Sequence, residues 1–147
     1  MISPEMLRRY PQFADASEHS LKQLAMAGQE VSVHAGATMF NEGDPADHLY
    51  IIAQGEVDIV YSLPNGQRRI VDTLVDGDLL MWSALVPPYR ATGSGITTKE
   101  THLVALESVR IRQICRQDPV LGRRLMTEVV KLLANRLERA QVQLAVV

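Results

Sequence analysis

The stretch GDLLMWSALVPPYRATG, residues 77–93, holds the groups of this chain best suited to recognition chemistry. Trp82 is the only tryptophan, and Arg90 follows two prolines and a tyrosine. A guanidinium presents five donors in a fixed fork, whereas an indole presents a flat apolar face and a single donor. Neither is a nucleophile or a general base at neutral pH. The stretch is therefore built for contact, either as a ligand-binding loop or as a loop turned into core. Other chemistry finds little to use. The histidines, His19, His34, His48 and His102, are scattered, with no H-x-H pair and no carboxylate at ligand spacing, so neither a metal site nor a metal-dependent enzyme is expected. The single cysteine, Cys115, excludes an internal disulfide, cannot alone hold an iron–sulfur cluster, and reads as a buried thiol.

These groups need a scaffold. The 147 residues suit one domain, 1–147, with one sizeable core. With 15 Lys+Arg against 17 Asp+Glu the net charge is -2, so whole-chain attraction to nucleic acid or anionic lipid is weak and binding must come from a local site. The opening residues MISPEMLRRYPQF carry charges where a signal peptide needs an apolar core. No apolar run approaches the roughly 20 residues of a membrane span. The composition predicts a cytoplasmic protein with neither a membrane nor a direct nucleic-acid partner.

Three zones follow along the chain. Residues 3–28 read as short helices, with Ser17 as an N-cap, Leu21, Leu24 and Ala25 on one face, and Gly28 as the stop. Residues 30–107 change to short segments of β-formers such as EVSVH, HLYIIA, EVDIVY, RRIVDTLV and THLVALE. Gly43, Gly55, Gly66 and Gly77 recur at spacings of 12, 11 and 11, the turn rhythm of an antiparallel jelly-roll of about eight short strands. Residues 109–147 return to helical period, broken at QDP, where Asp118 can cap and Pro119 can open a helix. The expected fold is α+β: an antiparallel β-roll flanked by N-terminal helices and a long C-terminal helix.

That last helix carries two apolar rows. Met126, Val130, Leu133, Leu137, Ala140, Leu144 and Val147 are spaced 4, 3, 4, 3, 4 and 3, a heptad seam. Leu121, Leu125, Val129 and Leu132 run beside it and stop at Arg136. Two rows in the first half require two partners, the roll and something else; one row in the second half leaves only the latter. A helix of ~27 residues spans ~40 Å, more than a small roll covers, so the second partner is expected to be the same helix of a second copy. The alternative is one wide stripe lying on the domain's own surface.

The order of helices, roll, short helix and long helix, with FNEGDPADHLYIIAQGEV at 40–57 and GDLL at 77–80, resembles the cyclic nucleotide-binding domain of the catabolite activator protein and of cyclic-nucleotide-dependent kinase regulatory subunits. The resemblance implies that 77–93 corresponds to the segment whose backbone amides and arginine hold the cyclic phosphate, while a glutamate accepts the ribose hydroxyl. Arg90, followed by Ala91 and Thr92, matches the arginine. The family's G-E-x-A-L falls on M-W-S-A-L, so its glycine becomes Met81 and its glutamate Trp82, with Ser83 next in register. Losing that carboxylate weakens a ribose contact by roughly 1.5 to 3 kcal/mol, about ten- to a hundred-fold, and an indole, donor only, does not replace it. Trp82 either plugs the old ribose pocket or stacks on a flat ligand. Arg90 either holds an anion, pairs with Asp78 or Glu100, or is a solvated loop residue.

At the base end the resemblance points to Ala140 and Gln141, where only Gln141 offers an amide. A helix-turn-helix follows the long helix in the activator family, but this chain ends at Val147, so direct DNA reading is not expected. A haem sensor of this fold would need axial ligands that the sequence does not place. The reading is a homodimeric sensory or regulatory module, not an enzyme and without a resident cofactor. It weakly binds a cyclic nucleotide or other anionic effector through Trp82, Ser83, Arg90, Ala91, Thr92 and Gln141, and acts on an unidentified downstream protein. The alternative is a ligand-free interaction scaffold with a filled pocket.

Overall fold

Serine starts both helices of the lead-in in the computed structural model, which describes residues 1–146. Ser3 Oγ accepts from the Glu5 amide at 3.2 Å and opens α1 (Pro4–Arg8). Ser17 Oγ accepts from the Ser20 amide at 3.1 Å and opens α2 (Glu18–Met26), the N-cap role its type predicts. A 3-10 turn at Pro11–Phe13 lies between them. Leu21, Leu24 and Ala25 face inward from α2 and are buried.

Among the described residues eight strands follow: β1 (Gly28–Val33), β2 (Thr38–Phe40), β3 (His48–Gln54), β4 (Glu56–Ser62), β5 (Arg68–Val75), β6 (Leu79–Leu80), β7 (Ser94–Thr97) and β8 (Thr101–Glu107). They form two antiparallel sheets, ordered β1-β8-β3-β6 and β2-β7-β4-β5. This is the α+β roll that the segment pattern predicts. The roll begins at Gly28, not at residue 30: α2 ends at Met26 with Ala27 as its C-cap, so Gly28 is not the helix stop expected of it but the first residue of β1, where it faces Leu106 across the β1–β8 pair.

Alternation along each strand sorts neighbours into two cores. On β3, Ile51 joins Phe13, Leu21, Leu24 and Ile111 between the first sheet and the helices, whereas Ile52 joins Val57, Ile59, Leu74, Leu80 and Leu103 between the sheets. Each such side chain contributes roughly 1.5 to 3 kcal/mol by leaving water. Gly55 turns β3 into β4 at φ 136°, and a Cβ there would lie 2.7 Å from the Thr101 Cα, so only glycine fits.

β8 leads directly into α3 (Ser108–Gln117), and α4 (Pro119–Val146) follows. Asp118 joins them: its Oδ1 accepts from the Leu121 amide at 3.2 Å and its Oδ2 from the Ser20 hydroxyl at 2.7 Å. The cap of the long helix thus also ties it to α2. The Ser20 bond is the main cause holding the Asp118 carboxyl below the usual carboxylate range, with the Leu121 and Ser17 amides adding to it.

With 28 residues, α4 is about 42 Å long. Leu121, Leu125 and Val129 are buried, while Met126, Val130, Leu137 and Leu144 are 41%, 62%, 61% and 76% exposed, so the two rows face opposite environments. One expectation is corrected. The apolar row stops at Arg136, but contact with the roll does not end there, because Arg136 and Arg139 still turn toward β5 and pair with Asp72. That continuation is polar, and a count of apolar positions misses it. Val147, the last member of the expected seam, lies outside the described residues.

Candidate functional site

Strand β6 pairs with β3 through Leu80–Tyr50 and Leu79–Ile51 and delivers the chain to one end of the roll. Met81 follows in the left-handed region, φ 68° and ψ 55°, where a side chain costs on the order of 1 kcal/mol. Its side chain is buried in the helix-side core, which offsets that strain. Trp82–Ala84 then make one 3-10 turn in which Ser83 and Ala84 are buried and Trp82 is half-buried against the same core.

The return limb is strapped to the GDPAD motif. The Ala46 amide donates to Tyr89 O at 2.9 Å, the Ala91 amide to Asp44 O at 2.8 Å, and the Gly43 amide to Ala91 O at 2.8 Å. Arg90 sits on this strap, exposed, with Nη1 donating to Gly43 O at 3.0 Å. Among the described residues it pairs with no carboxylate. Asp78 instead accepts from the Val75 amide at 2.8 Å, and Glu100 stands 4.0 Å from His102.

Between the two limbs lies a cavity of about 20 Å³, room for about one water molecule. Trp82, Ser83, Ala91 and Thr92 converge on it with Phe40, Ile59, Met81, Gly93 and Arg136. Arg90 does not line it. Gln141 does not either, and is exposed on α4 beyond Arg139. Sequence reading missed Phe40 and Arg136 as lining residues. The Phe40 ring lies over Gly95, 2.6 Å from where a Cβ would stand, so it fills space that only glycine leaves open. Arg136 was detectable as the position four residues after Leu132 in a row that otherwise faces the roll.

Arg136 closes the cavity from the helix side. Its side chain is 10% exposed and its Nε lies 3.0 Å from Asp72 Oδ2, while Arg139 Nη1 meets Asp72 Oδ1. Asp72, on β5, is 6% exposed. A buried charge must be matched, and here one carboxylate serves two guanidiniums. The site can hold an anion on a guanidinium fork or a flat group on the indole face. Cys115 adds no nucleophile, because burial, with the Asp118 charge adding, pushes its thiol up to about 11. Among the described residues no three His, Cys, Asp or Glu side chains cluster as metal ligands do, and no helix is long and apolar enough to cross a membrane.

The family described as the cyclic nucleotide-binding domain matches residues 30–118 of this chain. A solved structure from Geobacter metallireducens, provisionally described as a cyclic nucleotide-binding protein, is 34% identical with a TM-score of 0.81, covering 93% of this chain and 99% of that one. The N-terminal domain of a transcriptional regulator from Streptomyces coelicolor is 28% identical with a TM-score of 0.67, over 88% of this chain and 92% of that one. A CRP-like cAMP-activated global transcriptional regulator of Mycobacterium tuberculosis is 28% identical over 96% of this chain; the match spans 61% of that regulator's length.

Proposed function

The chain belongs to the cyclic nucleotide-binding domain family, and on that premise we propose that it is a dimeric, cytoplasmic regulatory module that senses a small anionic effector. It acts by binding, not by catalysis, and passes the signal to a partner protein. One observation carries the reading: Trp82, Ser83, Ala91 and Thr92 converge with the Arg136 guanidinium on one cavity, in the segment that the resemblance assigns to the ligand. The effector site departs from the family's pattern. No carboxylate stands at Trp82 to accept a ribose hydroxyl, and the cation of the cavity comes from α4, with Arg90 outside on the strap.

Dimerisation is supported by the exposed row Met126, Val130, Leu137 and Leu144, with Leu133 half-buried and Ala140 exposed in the same seam. A single protomer leaves this surface in water, and a second copy of the helix covers it with heptad geometry. The size of the cavity favours a second reading, a filled pocket in a protein that works as a ligand-free scaffold. Titration with cyclic AMP, cyclic GMP and cyclic dinucleotides, followed by the fluorescence of Trp82, separates the two. A saturable change with any of them supports the sensor, and no change with all of them supports the scaffold.

A further inference from the structure

A cavity of about 20 Å³ has room for about one water molecule, so an effector that enters it displaces part of its lining. Most of that lining is held fast. Met81, Ser83 and Ala91 are buried in the roll, and the Phe40 ring is seated on Gly95. Arg136 differs in coming from another element. Among the described residues, the hydrogen bonds and ion pairs that join α4 beyond Leu132 to the roll all end on Asp72, through Arg136 and Arg139. The rest of that half-helix presents Leu137 and Leu144 to solvent. Arg136 is therefore the lining residue least fixed by the roll's own packing, and Asp72 is its partner.

We propose that Asp72 is a built-in competitor for the effector, holding the Arg136 guanidinium in the roof of the cavity until an anion takes that guanidinium over. The inference rests on reading the cavity as an effector site. Carboxylate and phosphate oxygens are alternative partners for the same guanidinium fork, so the exchange replaces one matched charge by another and never leaves Arg136 buried alone. A neutral ligand of the same shape offers no such exchange and is rejected. The pair thus sets both the anion requirement and the affinity threshold of the site.

The test uses the full chain and cyclic AMP, with calorimetry for affinity and acrylamide quenching of Trp82 for cavity opening. Asp72→Asn and Arg136→Gln both break the pair, but only Asp72→Asn leaves a guanidinium for the anion. Asp72→Asn is expected to open the cavity to quencher and to bind cyclic AMP more tightly than wild type by about tenfold, the scale of one charge-assisted hydrogen bond. Arg136→Gln is expected to open it with no gain in affinity. Arg139→Gln, at a mostly exposed position, keeps the fold if Asp72→Asn loses it, and is expected to bind more weakly than wild type, because Asp72 is then left to Arg136 alone. Equal affinity in wild type and the Asp72 and Arg139 variants overturns the competitor while the sensor reading stands. So does an equal gain in Arg136→Gln, which would make the arginine a steric roof only. If the variants open to quencher and none binds, the sensor reading itself has failed and the competitor falls with it.

Discussion

The Nε of Arg136 lies 3.0 Å from Oδ2 of Asp72, joining the long helix to β5 through two side chains that are 10% and 6% exposed. The carboxylate and the guanidinium satisfy each other in a place where water reaches neither freely. Removing one partner leaves the other as an uncompensated buried charge, which is more damaging than the loss of the attraction itself.

Asp72→Ala is therefore expected to lower the unfolding free energy by about 3 to 5 kcal/mol. Arg139→Ala removes a partner that is 57% exposed and should cost less than about 1 kcal/mol, as surface pairs do. Denaturant unfolding at one fixed protein concentration measures both. Equal losses would mean that the pair is no more enclosed than an ordinary surface contact.

Leu137 sits mid-row on the exposed face of α4. In a helix-to-helix seam, Leu137→Asp buries a charge against its own copy, so the variant should be a folded monomer and the wild type a dimer by light scattering. A wild-type monomer, or a variant that stays dimeric, removes the seam.

Trp82 occupies the place that the resemblance gives to the family's glutamate. Trp82→Glu restores an acceptor there and should tighten cyclic AMP binding by about ten- to a hundred-fold, read by calorimetry. Trp82→Ala should cost less than the roughly 3 to 5 kcal/mol of a fully enclosed tryptophan, because the ring is only half-buried. A loss at the top of that range would instead identify Trp82 as a true plug of the core.

Asp118 caps α4 and receives the Ser20 hydroxyl. Asp118→Ala should cost about 1 kcal/mol at neutral pH, as lost N-caps do. The carboxyl is depressed in the folded protein, so its contribution is fully present above its unfolded value of 3.8 and is lost as pH falls through the lower folded value. Wild type and variant should converge in stability in strong acid. A gap that persists there would have another origin.

Local order determined much of this protein. Ser17 and Asp118 cap their helices because a short oxygen-bearing side chain meets free amides one turn ahead, a relation contained within four residues. The strands follow from β-formers bounded by turn residues, and the sorting of Ile51 and Ile52 into different cores follows from the period of the strand alone. The two faces of α4 follow likewise from helical period.

The cavity was decided by contacts between residues far apart in the chain. Asp72 and Arg136 are 64 positions apart, and each alone looks like a solvated charge on its own element. Only the docking of α4 across β5 brings them together and encloses them. The same docking places Arg136, and not Gln141, over Trp82 and Ser83. Apolar periodicity reports which face of a helix is greasy, and cannot report that a buried face goes on as paired charge, because a carboxylate makes an arginine tolerable inside only once the fold has put it there.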